Sequence, residues 1–223
     1  MKKFWVYIIM AGTVFLVFSC NHQKQKKSSA QAEHKPVVIV PDTTIYITLN
    51  DSVRQTLLER GRKIAVTTQL RLRQELMKAI KQGGTENAVT FCNKRAIEIT
   101  DSISLAEKVY IKRLAKKYRN PLNDMTKNES NIFKAYIINH LGKQRIQALI
   151  TWNKIGQPVY YNPMIVKSFC LKCHGTPGKD IKPGVAEKIA ELYPGDKATN
   201  FKAGDLRGMW SVTFPEYRVT KVK

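Results

Sequence analysis

Residues 147–161 read Gln-Ala-Leu-Ile-Thr-Trp-Asn-Lys-Ile-Gly-Gln-Pro-Val-Tyr-Tyr. Segments 147–152 and 157–161 are rich in aliphatic and aromatic residues, and the residues between them are turn formers. The stretch therefore predicts two strands in hairpin order. Residues 109–114 alternate side chains after a polar turn, and 207–214 read as a last strand. Together these segments predict an antiparallel sheet.

Helical patterns precede the predicted strands. From an N-cap at Asn50 or Asp51, apolar residues recur at near-helical spacing until Gly83-Gly84. This predicts a long first helix, bent at Gly61 and stopped by the glycine pair.

Two further helices are predicted. One starts at Thr85 and carries Cys92 on the apolar face that includes Val89, so the Cys92 side chain points inward. In the other, Thr126 and Glu129 form a capping box that begins a helix ending at Gly142. The fold class that follows is α+β, with an antiparallel sheet flanked by helices and a long N-terminal helix.

The N-terminal residues have the features of an export signal. Two lysines precede an apolar run from Phe4 to Phe18, and Ser19-Cys20 follows it. The run is short for a membrane span, which needs roughly 20 residues, so a retained anchor is the weaker interpretation. Residues 16–20 resemble the lipobox of bacterial lipoproteins, which implies cleavage before Cys20 and lipidation of its thiol. A free Cys20 at a plain cleavage site is the alternative.

This interpretation gives the chain its organisation. Residues 1–19 are a lipoprotein signal peptide, residues 20–49 are a flexible tether with a short extended segment at 37–48, and residues 50–223 are a single domain. The predicted location is the bacterial cell envelope, lipid-anchored and extracytoplasmic, facing the periplasm or the cell surface. The partner that follows is a lipid bilayer, contacted through the N-terminal acyl anchor.

The formal net charge is +21, which suits nucleic acid, anionic lipid or an acidic partner. Export argues against nucleic acid, and no basic block is interleaved with aromatics as a single-strand platform requires. The charge is therefore interpreted mostly as solvated helix faces near a membrane.

Cys170-Leu171-Lys172-Cys173-His174 is the C-x-x-C-H signature of c-type haem attachment. Two thiols at this spacing reach the two vinyl groups of one haem, and the adjacent histidine lies under the iron. A zinc site needs two more ligands at matching spacing. A redox dithiol belongs in a βαβ setting. A disulfide between such close residues is strained and leaves the histidine unexplained.

Few residues are candidates for the second axial ligand of the haem iron. Cys92 lies on an apolar helical face, and on these grounds ligation and inert burial are equally supported. The other candidates are His140, Met125, Met164 and Met209, for which packing in the core is the alternative role.

Several segments resemble the c-type haem domain of PAS-like fold found in small exported proteins and as the extracytoplasmic input of bacterial sensor kinases. The resemblance covers roughly residues 53–215 and is carried by 84–92, 119–123 with Glu129, 170–175, 193–198 and 204–208. It implies a PAS-like sheet, one covalent haem c, ligation by His174 and a thiolate ligand from Cys92. Residues 124–128 replace a stretch that usually contains Pro and Trp. Asn200-Phe201 replaces a usual Gly-Tyr, a mild change because Asn tolerates positive φ.

The function implied is a redox or small-ligand sensor, because reduction or protonation would weaken an iron–thiolate bond and release the helix that holds Cys92. Arg119 and Arg207 are candidate partners of the haem propionates, with ordinary surface arginines as the alternative. A mono-haem electron carrier is the alternative function. A peroxidase would need an acid-base residue, for which His140 is the one obvious candidate, and no enzyme is expected. A redox or signalling partner is implied but not identified.

Overall fold

The structure is a computed structural model that describes residues 34–220. The predicted signal peptide, the lipidation site Cys20 and the first part of the tether lie outside the described residues. In chain order the elements are β1 (Ile45–Ile47), α1 (Asp51–Glu107), β2 (Tyr110–Leu114), α2 (Lys127–Leu141), β3 (Leu149–Trp152), β4 (Pro158–Ile165), α3 (Leu171–His174), α4 (Pro183–Leu192), β5 (Leu206–Thr213) and β6 (Tyr217–Val219). Within this part of the chain, no helix has the length and apolar character needed to span a bilayer.

The central sheet has four strands in the order β2-β5-β4-β3, and every neighbouring pair is antiparallel. The hairpin β3–β4 pairs Leu149 with Tyr161, as the sequence predicts, and β4 continues to Ile165. The α+β class with an antiparallel sheet is confirmed.

The long first helix begins at Asn50, whose side chain accepts a hydrogen bond from the Val53 amide at 3.0 Å. Its regular geometry breaks at Gly83 and Gly84, where Gly84 has φ of +71°, a conformation that favours glycine. The two predicted helices are therefore the two halves of α1, separated by a kink.

Gly61 has a different role from the predicted bend. The helix remains regular through this residue, and a Cβ placed there would lie 2.4 Å from Cγ of Tyr160 in β4. The missing side chain lets the helix approach the sheet closely. The prediction of a bend was wrong because close packing and bending both favour glycine in a sequence.

Each face of the sheet carries its own apolar core. The face toward α1 buries Leu57, Ile64, Tyr160 and Trp210, and the face toward α2 buries Met125, Phe133, Tyr136, Val159 and Met209. Helix α2 starts with the predicted capping box: the Glu129 carboxylate accepts from the Thr126 amide at 2.8 Å, and the Thr126 hydroxyl accepts in return. It ends at Gly142 as predicted.

Two features were not predicted. Helix α4, which starts with Pro183 in its first turn, packs Val185 and Ile189 against the second half of α1. The short strand β1 pairs in parallel with β6 outside the main sheet. Within the predicted extended segment at 37–48, only Ile45–Ile47 forms a strand.

Candidate functional site

The C-x-x-C-H segment lies between the end of β4 and α4. Ser168–Cys170 forms a 3-10 turn, and Leu171–His174 adds one turn of α-helix. Cys170 packs against the small apolar cluster that contains Ala198 and Phe201, whereas Cys173 packs against the cluster that joins α4 to α1. Cys92, Cys170 and Cys173 are all free thiols.

The orientation of the His174 ring is fixed by one hydrogen bond. Its Nδ1 lies 2.8 Å from the Ala198 carbonyl oxygen. A carbonyl only accepts, so Nδ1 carries the proton and Nε2 keeps its lone pair. The ring also packs edge-on against Phe201, with 6.4 Å between centroids.

The electrostatics of the site keep the His174 imidazole neutral. Burial lowers its pKa well below the ordinary value, and the nearby charges of Arg207 and Arg119 act in the same direction. A histidine must be neutral to bind a metal. The protonation state and the ring orientation of His174 therefore both suit an iron ligand.

Arg119 and Asp196 form a buried ion pair that we call the clasp. The Arg119 Nε lies 3.2 Å from Oδ1 of Asp196, and Nη2 lies 3.1 Å from Oδ2, so the pairing is bidentate. The two side chains are only 12% and 8% exposed. Arg119 Nη2 also donates to the Cys173 carbonyl at 2.7 Å.

The clasp also holds the acceptor of the His174 hydrogen bond. Oδ1 of Asp196 accepts from the Ala198 amide at 2.8 Å, and Arg119 Nη2 lies 3.4 Å from the Ala198 carbonyl oxygen. The clasp thereby links the motif backbone at Cys173 to the backbone at Ala198. The clasp positions His174 through Ala198.

Cys92 lies in the same site although it belongs to the second half of α1. Val89, one turn earlier, packs in the cluster that contacts Cys173, and the Asn93 side chain donates to the Leu192 carbonyl at 3.3 Å. Burial raises the pKa of Cys92, and Arg113 and Arg119 act in the opposite direction.

The environment of Cys173 raises the pKa of its thiol, and Cys92 is one of the groups that contribute. Burial raises the pKa of Cys173 to about 11, Arg119 opposes this rise, and negative charge on Cys92 adds to it. The contacts of α1 with α3, and the packing of Cys173 in the cluster that contains Val89, place Cys92 near the motif. The half of α1 that follows the kink therefore brings Cys92 to the motif.

Arg207 is the second arginine beside the motif. Its Nη1 donates to the Lys117 carbonyl at 2.7 Å, and its guanidinium lies 5.2 Å from the centroid of Phe201. Burial, together with the charges of Arg119 and Arg113, lowers the pKa of Arg207 to about 10. Pairing of Arg119 and Arg207 with haem propionates stays a prediction. In the structure, the Arg119 guanidinium is already paired with the Asp196 carboxylate.

The other candidate ligands lie elsewhere. Met125 and Met209 are buried in the core between the sheet and α2, and Met164 packs against the core beneath α1. His140 lies in the last turn of α2. Cys92 belongs to the helix whose Val89 packs in the same cluster as Cys173.

The turn that follows the motif explains why Asn200 can replace the glycine that is usual at this position. This residue has φ of +61°, and its amide donates to the Gly175 carbonyl at 2.8 Å. Asn is accepted in place of Gly, as predicted. Gly175 itself has no room for a side chain, because a Cβ would lie 2.4 Å from Cβ of Asp180.

Sequence reasoning missed two parts of this site. Asp196 and Ala198 stand inside a segment that carried the family resemblance, but nothing in the sequence paired them with Arg119 and His174. Arg113, on β2, influences the pKa of both Cys92 and His174. The sequence separation between Arg113 and the motif gave no signal, because only the folded sheet brings Arg113 near the site.

The fold and site together define a class: α+β domains in which a C-x-x-C-H segment presents a neutral, oriented histidine beside a buried cysteine from a long helix. The chain belongs to the Tll0287-like family, whose model matches residues 27–215. The expected membership of a haem-protein family is confirmed.

The structural comparison agrees with the family match. The solved structure of the cyanobacterial haem protein Tll0287 is 29% identical, with a TM-score of 0.51, and the alignment covers 69% of this chain and 94% of that one. Among curated proteins, none matches this chain significantly.

Proposed function

We propose that the chain binds one haem c covalently through Cys170 and Cys173, with His174 as an axial iron ligand. The observation that carries the proposal is the hydrogen bond from His174 Nδ1 to the Ala198 carbonyl, which leaves the lone pair of the neutral ring on Nε2. The similarity to a solved cyanobacterial haem protein supports the same cofactor.

The charges around the motif also fit haem. Asp196 neutralises Arg119, but no carboxylate of residues 34–220 forms an ion pair with Arg113 or Arg207. A haem carries two propionates, and buried guanidinium groups are suited to bind carboxylates. We propose Arg207 as one propionate partner, while Arg119 acts chiefly within the clasp.

We propose Cys92 as the second axial ligand and a redox or small-ligand sensor as the function. When bound, haem would supply an iron that changes oxidation state and exchanges an axial ligand. Cys92 would contribute a thiolate, and burial would favour its neutral thiol whenever it is released. Because Cys92 is held by the half of α1 that packs on α4, its release would loosen that contact and alter the surface there.

The ligand assignment is tested by visible spectra of the purified ferric holoprotein. Cys92→Ala is expected to change the spectrum to that of a histidine-ligated haem with an open or exchanged sixth position. Val89→Ala is the matched control, because it removes packing on the same helix face without removing a thiol. An unchanged ferric spectrum in Cys92→Ala would remove the thiolate proposal.

A mono-haem electron carrier is the second candidate, favoured by the net charge of +21, which suits docking to an acidic redox partner. A carrier keeps its ligands in both oxidation states. The carrier would be favoured if Cys92→Ala changes both the ferric and the ferrous spectrum and if electron exchange is rapid. A spectrum that loses the Cys92 contribution on reduction would favour the sensor.

We also propose that the protein is a lipoprotein of the bacterial cell envelope and is not an enzyme. The Ser19-Cys20 junction after the apolar run supports the anchor. Incorporation of labelled palmitate in the parent, absent in Cys20→Ser, is the expected result, and equal incorporation contradicts it. Sustained turnover of peroxide by the holoprotein would contradict the non-enzymatic assignment.

A further inference from the structure

The first half of α1 presents an exposed surface that the haem site does not use. We call it the α1 stripe and define it by Lys63, Val66, Leu70, Arg73, Met77 and Lys81. At 100° per residue these side chains fall within an arc of about 80°, over a length of about 27 Å. One narrow face of the helix therefore alternates cations with apolar groups.

Two of the three apolar members of the stripe are exposed and the third is half-buried. Val66 is 47% exposed and Leu70 is 53% exposed, and Met77 is half-buried beside them. Shallow grooves follow the same line, one beside Lys63 and Val66 and the other beside Leu70 and Met77. Within residues 34–220, Val66 and Leu70 are left uncovered by the other elements of the fold.

The cations of the stripe lack acidic partners. In the described part of the chain, no ion pair includes Lys63, Arg73 or Lys81, while Glu75 on another face pairs with Arg71 and Lys78. The acidic residue on the same line, Glu59, stands at its N-terminal end and accepts from Gln55. The stripe thus carries a net positive charge.

We infer that the α1 stripe docks on an anionic lipid surface. Apolar side chains flanked by lysine and arginine on one helix face suit the boundary between head groups and acyl chains. A second copy of the chain is a poorer occupant, because two such stripes would bring like charges together. Charge complementarity selects the anionic bilayer.

The chain length permits this contact. The segment between Cys20 and His34 can extend up to about 50 Å, so an anchor at Cys20 would not hold the described domain in one orientation at the membrane. A chain anchored at Cys20 can therefore lay α1 on the same bilayer. The inference goes beyond the proposed haem function and needs no bound haem.

The test is lysine footprinting of the full chain reconstituted in vesicles, with an amine-acetylating reagent and mass spectrometry. Acetylation of Lys63 and Lys81 is expected to be roughly threefold slower in phosphatidylcholine vesicles containing phosphatidylglycerol than in pure phosphatidylcholine. The exposed Lys182 and Lys202 serve as internal controls and should react equally in both. High salt should restore the labelling of the stripe.

A variant makes the test specific. Arg73→Glu combined with Leu70→Ser should remove the protection of Lys63 and Lys81, whereas Lys182→Glu should leave it intact. Equal labelling in both lipid mixtures would overturn the inference. So would protection that follows protein concentration and not lipid composition, since that result indicates self-association. Haem content is read separately from the spectrum, so failure of one proposal leaves the other testable.

Discussion

We call the four-stranded sheet with α1 and α2 the sheet body, and residues 166–205 the motif segment. The contacts that position these two regions differ in kind. In the sheet body, large side chains such as Trp210 and Tyr160 are 2% and 1% exposed and pack against α1. Within the motif segment, α4 packs on α1 through apolar side chains such as Val185 and Ile189, but the turn that carries His174 is fixed by the clasp and by hydrogen bonds to backbone atoms. The fold therefore depends on apolar burial, while the orientation of His174 depends on polar contacts.

This difference predicts that stability and haem geometry respond to different substitutions. A loss of apolar volume in the sheet body should unfold the protein without altering the geometry in the molecules that stay folded. A change in the clasp should alter the haem environment in a protein that is still folded.

The largest effect on stability is expected from Trp210→Ala. This residue is buried against α1, and its indole donates to Gln69 at 3.2 Å. Truncation should lower the free energy of unfolding by about 3–5 kcal/mol, measured by denaturant unfolding. Trp152→Ala is the control, because Trp152 is 46% exposed and should change stability far less. Equal losses in the two variants would contradict the assignment of the core.

A smaller loss of stability, but a larger change at the haem, is expected from Asp196→Asn. The substitution leaves the buried Arg119 without its carboxylate, which should cost about 2–3 kcal/mol. It also loosens Ala198 and thus the His174 hydrogen bond. The reduction potential and the ferric spectrum should shift, while far-ultraviolet circular dichroism stays that of the parent.

The control for the clasp is Asp205→Asn. Asp205 accepts from the Lys202 amide at 2.7 Å in an exposed loop of the motif segment and has no contact with His174. The reduction potential of the Asp205→Asn variant should equal that of the parent protein. If Asp205→Asn shifts the potential as much as Asp196→Asn does, the effect is a general charge effect and the positioning role of the clasp is lost.

The smallest effect is expected at the start of α2. Thr126→Ala removes the hydroxyl that accepts from the Glu129 amide, which should cost about 1 kcal/mol, measured by thermal unfolding. Thr126→Ser should retain most of that stability. Because α2 packs in a different apolar cluster from Cys173, the haem spectrum should not change in either variant. A spectral shift in Thr126→Ala would link the two regions.

Local sequence signals predicted the elements that depend on local chemistry. The capping box at Thr126, the glycine break at Gly83-Gly84 and the hairpin at residues 147–161 were each predicted from a few adjacent residues and are present. Helix α4 is short and starts without a side-chain cap, so its signal was weak.

The site was predictable only in part for a physical reason. The C-x-x-C-H motif is contiguous, so its residues could be named from their spacing. The contact of Arg119 with Asp196 and the approach of Cys92 to Cys173 depend on how α1, β2 and the motif segment pack, which no single segment encodes. The residues alone left Cys92 between iron ligation and inert burial, and the family resemblance implied ligation, but neither assigned a role to Asp196.

The central claim is that haem is joined to the polypeptide by thioether bonds at Cys170 and Cys173. Intact mass and a pyridine haemochrome spectrum, taken on protein made in cells that mature c-type cytochromes, test it most directly. The account predicts a mass increase of one haem and a c-type spectrum, both abolished in Cys170→Ala/Cys173→Ala. A parent protein that weighs no more than its processed polypeptide and any attached lipid would contradict it.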